Sequence, residues 1–213
     1  MADSDIQLHI KNLDAQDSGL VNSAVAFLSK DKDELSVKQL SECLNHQKWI
    51  VRKRAASCLS AQGPRVAKLL IQRLKTTQNE NIHYWGIKVL QEIGSPFEKE
   101  IIQILDGSEN INISGYCLEA LSFFNSSAAV EGAIRQLKND NWFIKLKAAE
   151  TLEKIGSSAE SLLQEAFKNY SKTHENSAIC YISLSLLAKI GKEKTLPFLK
   201  EAYRDKNYLI RSY

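Results

Sequence analysis

The residues most able to do covalent or metal chemistry here are four histidines and four cysteines, and their spacing argues against both uses. A metal site needs nitrogen, thiolate or carboxylate ligands that converge from several positions. Only His174 is followed by a carboxylate, Glu175, whereas His9, His46 and His83 have no adjacent acid and read as ordinary helix and loop histidines. Cys43, Cys58, Cys117 and Cys180 form no CxxC pair and fall at helical positions, so they read as small core residues in a reducing compartment. There is no glycine-rich phosphate loop, zinc motif or nucleophile elbow. No catalytic residue, metal or cofactor is therefore assigned. What remains is recognition chemistry. The candidate partner-binding residues are Lys53, Arg54, Tyr84, Trp85, Lys88, Tyr116, Lys147 and Tyr181, a mixture of cations and aromatic rings of the kind that dominates protein interfaces.

A repeated element must position these residues. Leu28, Leu59, Leu90, Leu121 and Leu152 recur at intervals of 31, and Leu187 follows after 35. Eight residues earlier the same register holds Leu20, Val51, Ile82, Ile113, Ile144, Ile179 and, in an unfinished copy, Ile210. Four residues before each leucine the side chain is small: Ala24, Ala55, Gly86, Cys117, Ala148, Ser183. Spacings of four and eight put all three columns on one helix face, with the small residue where another backbone comes close. Four residues after the leucine stand Gly63, Gly94, Asn125, Gly156 and Gly191, types that tolerate the left-handed conformation ending a helix.

Each copy is then a helix pair. First helices are expected near Ile6–Leu13, Leu35–Leu44, Val66–Lys75, Phe97–Leu105, Ala128–Leu137 and Thr195–Tyr203, with Asp17 or Ser18 capping the second helix of repeat one. The second helix of repeat four is expected over Ile111–Phe124 and that of repeat five over Trp142–Ile155. Repeat six is four residues longer, and the extra residues are expected as loop between Asn169 and Asn176. Repeat seven stops at Tyr213, inside its second helix, so the chain is expected to be part of a longer protein.

The fold class expected is all-α: an α-solenoid, or superhelix, of six to seven antiparallel helix pairs forming one repeat domain over residues 1–213. The amino-terminal MADSDIQLHI is acidic and has no apolar core, and no apolar run reaches membrane-span length, so a soluble cytoplasmic protein is expected. Net charge is only +3, but residues 43–79 contain no acid and hold Lys48, Arg52, Lys53, Arg54, Arg65, Lys68, Arg73 and Lys75.

The stretches WIVRKRAASCL (Trp49 to Leu59) and WFIKLKAAETL (Trp142 to Leu152), each followed by a glycine, and the opening Tyr208 to Arg211, resemble HEAT-type repeats of the short kind named for phycobilisome lyases. The resemblance implies an α-solenoid whose second helices line the concave side and which works as a binding surface. It also implies that Trp49, Trp142 and Tyr208 are structural staples, and that Arg52, Lys145 and Arg211 are structural cations with Asp140 and Asp205 as partners. HEAT-like deoxyhypusine hydroxylases carry several His-Glu pairs for two irons, where this chain has only His174 with Glu175. Phycobilin lyases share the repeat but offer no short catalytic signature, which keeps a lyase-like or chaperone-like role as a weaker alternative.

On a helical wheel Val51, Ala55, Ala56, Cys58 and Leu59 face the core while Lys53, Arg54 and Ser57 lie opposite. Arg54, Trp85, Tyr116 and Lys147 then form a stripe across the middle repeats, with Trp85 and Tyr116 either exposed or folded down between repeats. A non-enzymatic scaffold that binds another protein on this face is the leading expectation. The alternative is nucleic-acid binding by the basic 43–79 segment, in which Lys53 and Arg54 stand beside Tyr84 and Trp85. The low net charge and the intrusion of Glu119 and Glu150 on the same face weigh against it.

Overall fold

In the computed structural model the described residues are 3–31, 33–173, 177–190 and 195–204. They form helices and no strand. The chain divides into two compact units, Met1–Ser108 and Glu109–Tyr213, each of which is a run of antiparallel helix pairs in two layers.

The first unit contains α1 (Asp3–Asn12), α2 (Ser18–Lys30), α3 (Glu34–Cys43), α4 (Trp49–Ala61), α5 (Ala67–Thr76), α6 (Glu80–Ile93) and α7 (Glu98–Gly107). The second helices α2, α4 and α6 pack side by side, the first helices α1, α3, α5 and α7 form the other layer, and each pair closes on itself. The second unit repeats the plan with α8 (Ile111–Leu121), α9 (Ser127–Gln136), α10 (Trp142–Ile155), α11 (Glu160–Thr173), α12 (Ser177–Ile190) and α13 (Leu196–Tyr203). There α8, α10 and α12 form one layer, with α9 and α11 in the other.

The three sequence columns are the core between the layers. All six leucines of the Leu28 column are 0% exposed, and the small column from Ala24 to Ser183 is buried throughout. At Gly86 the close neighbour is not a backbone, as expected, but the side chains of Leu70 and Leu74 on α5: an added Cβ would meet Leu74 Cδ2 at 2.9 Å. The aliphatic column is buried at Val51, Ile82, Ile113, Ile144 and Ile179, but Leu20 is half exposed and Val21 takes the inward position. Among the described residues no second helix precedes α2 to cover that side. Ile210 and Gly191 lie outside the described residues.

Helix ends follow two rules, one of which was not read from the sequence. Gly63, Gly94 and Gly156 have φ of 72°, 109° and 68°, so at these positions the chain leaves its helix through a positive φ that favours glycine. At Asn125 this exit is not used, because α8 ends at Leu121, short of the expected Phe124, and Ser122 caps it by donating to the Glu119 carbonyl at 2.6 Å. The second rule is a column of N-caps at Asp17, Asn79, Asn110 and Asn141. Each side-chain oxygen accepts a backbone N–H in the first turn of its second helix, as Asn79 Oδ1 does from Ile82 at 3.1 Å. Lys48 interrupts this column and pairs instead with Asp14 at 2.8 Å.

The extra residues of repeat six are helix rather than loop. α11 has 14 residues where α3, α5, α7 and α9 have 10, so one turn has been added to the first helix.

Polar side chains tie several of the helix pairs to earlier ones. Arg54 donates to the Leu13 carbonyl at 2.6 Å, Gln62 to Leu28 at 2.7 Å, Arg65 to Asp31 at 2.9 Å and Thr151 to Leu118 at 2.9 Å. The carbonyls they reach lie in or just beyond the last turn of earlier helices, where intrahelical donors run out, although Leu118 also accepts the Ser122 N–H.

Candidate partner-binding surface

In the first unit the wheel assignment holds on α4: Val51, Ala55, Ala56, Cys58 and Leu59 are buried, Lys53 and Ser57 are exposed and Arg54 is half-buried. Tyr84 and Trp85 on α6 are both half-buried. Their rings meet edge to face, centroids 5.1 Å apart and planes at 84°, a geometry that aligns the positive edge of one ring with the negative face of the other. Lys88 Nζ sits 5.5 Å from the Tyr84 centroid and Lys53 Nζ 5.8 Å from that of Trp49, both within cation–π range. Trp85 is thus neither fully exposed nor folded away.

In the second unit Tyr116 is half-buried and Tyr181 is 44% exposed. Lys147 is bound to Glu150 at 2.8 Å and lies 5.7 Å from the Phe143 ring centroid, so its charge is already answered.

One reading of the repeat motif needs correction. Trp49 and Trp142 are not packed staples: they open their second helices 57% and 72% exposed, Trp49 against Lys53 and Trp142 edge-on to Phe143 at 6.1 Å. Arg52 is a structural cation, donating to the carbonyls of His46 and Gln47 at 2.7 and 2.9 Å. Tyr208, Arg211 and Asp205 lie outside the described residues.

Half of the basic run of residues 43–79 is committed within the chain. Lys48 holds Asp14, and its ammonium keeps that carboxyl below the usual value. Arg52, Arg54 and Arg65 hold backbone carbonyls. Lys53, Lys68 and Lys75 remain as exposed charges.

The groups first considered for covalent or metal chemistry have structural work. His9 stacks on Phe27 at 4.1 Å, His46 Nδ1 accepts the Lys48 N–H at 3.1 Å, and buried His83 has Nδ1 3.1 Å from the Asn79 carbonyl. His174 and Glu175 lie outside the described residues, among which no three ligand-type side chains cluster. The four cysteines are free thiols, three of them buried. Burial pushes the Cys43 thiol up to about 11 and raises Cys58 in the same direction, the reverse of what a nucleophilic thiol requires.

No family model matches the chain, and no curated protein matches it. Solved structures do. The complex of CpcE and CpcF of phycocyanin lyase from Nostoc is 19% identical, covering 96% of this chain and 84% of that one, with a TM-score of 0.43. Human deoxyhypusine hydroxylase is 14% identical over 98% and 93%, with a TM-score of 0.39. A computationally designed armadillo repeat protein for modular peptide recognition is 13% identical over 97% and 95%, with a TM-score of 0.38. This chain is a helical-repeat protein. The likeness is one of fold alone and says nothing of activity.

Proposed function

We propose that this protein is a non-enzymatic scaffold that binds another protein on the face of its second helices. The residues assigned to contact are Lys53, Arg54, Tyr84, Trp85 and Lys88 in the first unit and Tyr116, Lys147 and Tyr181 in the second. The observation that carries this reading is the Tyr84–Trp85 pair. These two rings lie opposite the core columns of α6, which are complete without them, and they keep solvent-facing surface beside Lys88. Aromatic surface next to a cation, held rigid by a neighbouring ring, is inexpensive to desolvate and loses little entropy on contact. Four free cysteines fit the reducing interior of a cell, where we place the protein.

Nucleic-acid binding by the basic segment is the weaker reading, because Lys48 is paired with Asp14 and Lys68, Arg73 and Lys75 lie on α5, in the layer of first helices rather than beside Lys53 and Arg54.

The test is capture of partners from the source cell by the wild-type chain and by the Trp85→Ala, Tyr116→Ala double variant. Loss of a specific partner at unchanged helicity supports the assignment. Identical capture by both chains removes this face as the binding site.

A further inference from the structure

The second-helix faces of the two units differ in charge. In the first unit the outward positions of α4 and α6 hold Lys53, Arg54 and Lys88 around Tyr84 and Trp85, and the carboxylate on that face of α6 is exposed Glu92, one turn beyond Lys88. The equivalent positions of the second unit hold Glu119 and Glu150 against a single cation, Lys147, which is bound to Glu150. Neither Lys53 nor Lys88 has a carboxylate partner among the described residues; each ammonium lies over an aromatic ring, which leaves its charge unneutralised. Arg54 spends one N–H on the Leu13 carbonyl, which fixes the guanidinium in place without cancelling its charge. Since α4 and α6 pack directly together, their axes stand about 8 to 10 Å apart. Roughly three residues of extended chain span that distance.

We propose that this face of the first unit takes an acidic, extended peptide segment of a partner protein. Carboxylates of the segment meet Lys53, Arg54 and Lys88, and an intervening apolar side chain lies against Tyr84 and Trp85. The inference rests on the protein-binding reading above and names the chemistry of the partner. A peptide fits better than a nucleic acid because the cations are few, are set among rings, and are not extended by the rest of the basic segment, in which Lys48 is paired with Asp14 and Lys68, Arg73 and Lys75 lie on α5 in the other layer.

The experiment uses the full chain and a fluorescein-labelled peptide of alternating glutamate and leucine, read by anisotropy. A lysine–leucine peptide and a single-stranded oligothymidylate serve as the other two probes. The acidic peptide is expected to bind saturably and to weaken as salt rises from about 50 to about 300 mM. Lys53→Glu with Lys88→Glu is expected to weaken it by about tenfold or more, at unchanged helicity, while Lys154→Glu, on the exposed surface of α10, leaves it unaltered. Arg54 is left intact because its bond to Leu13 makes it structural. No saturable binding, equal binding of the basic peptide, or indifference to the Lys53/Lys88 double variant overturns the proposal. Tighter binding of the oligothymidylate, lost in the same variant, overturns it in favour of nucleic acid. Partner capture that depends on Trp85 and Tyr116, without any acidic-peptide binding, removes only the charge assignment; the absence of both removes the protein-binding reading as well.

Discussion

Gly86 and Gly115 both lie inside second helices, and the same substitution to alanine should move stability in opposite directions. Replacing a mid-helix glycine by alanine gains about 1 kcal/mol from backbone entropy and helix propensity. At Gly115 nothing opposes this gain: the new methyl would lie 3.6 Å from Phe143 Cε1, an ordinary contact, and the net effect should be stabilising by about 0.5 to 1 kcal/mol. At Gly86 the methyl would arrive 2.9 Å from Leu74 Cδ2 and 3.3 Å from Leu70 Cδ1. Leucine tips usually swing aside, but Leu70 is 0% and Leu74 2% exposed, so neither has room to do so. Overpacking of this kind costs about 1 to 3 kcal/mol. After the propensity gain, Gly86→Ala should be destabilising by about 0 to 2 kcal/mol, and the two variants should differ by about 1 to 3. Urea denaturation followed by helicity is the assay, with the midpoint compared at constant slope. A Gly86→Ala chain as stabilised as Gly115→Ala would show that the small column is not there to seat the first helix, and would refute the packing register.

Leu121→Ala should leave a cavity and cost about 2 to 5 kcal/mol, whereas Leu20→Ala, in half-exposed surface, should cost under about 1, both by thermal or urea unfolding. Arg54→Ala should cost about 1.5 to 3 kcal/mol through loss of the charge-assisted bond to Leu13, while exposed Lys53→Ala should stay within about 0.5; equal effects would mean that Arg54 is only a surface charge. Thr151→Val should cost about 0.5 to 1.5 kcal/mol, since the hydroxyl proton shared by the Leu118 and Lys147 carbonyls is lost while Leu118 keeps the Ser122 N–H. With the Cys43 thiol raised from 9.0 to about 11 by burial, its neutral form favours the folded chain. That contribution is complete below the unfolded value and is lost as pH rises between about 9 and about 11. Alkylation of folded Cys43 should therefore lag that of unfolded chain at pH 9, as mass spectrometry of the labelled peptide would show.

The helix pairs were legible because periodicity reports burial, and burial in a repeat is copied with the sequence. The same logic would have found the N-cap column, since Asp17, Asn79, Asn110 and Asn141 keep the spacing of the leucines; the interruption at Lys48, in the best-conforming repeat, hid it. The exposure of Trp49 and Trp142 was not legible, because a large ring at the first position of a helix can turn toward the core or away, and residue type does not choose between them. The commitments of Arg54, Gln62 and Arg65 were missed for a related reason. A long polar side chain reads as surface, yet each tip finds a carbonyl 34 to 41 residues earlier in the chain. Of the candidate site, composition was readable, while the pairing of Lys147 with Glu150 depended on rotamers.

The longer first helix of repeat six carries a lesson about how such a chain can grow. Four residues of helix amount to about 400° of rotation and about 6 Å of rise, so the chain leaves α11 only about 40° away from the direction a shorter helix would have given it. α12 still buries Ile179, Ser183 and Leu187. An insertion of two residues would turn the exit by about 200° and present the wrong side of the next helix to the stack. Length in this architecture is therefore quantised: whole turns can be added to a first helix as overhang, without renegotiating the contacts of the neighbouring pairs.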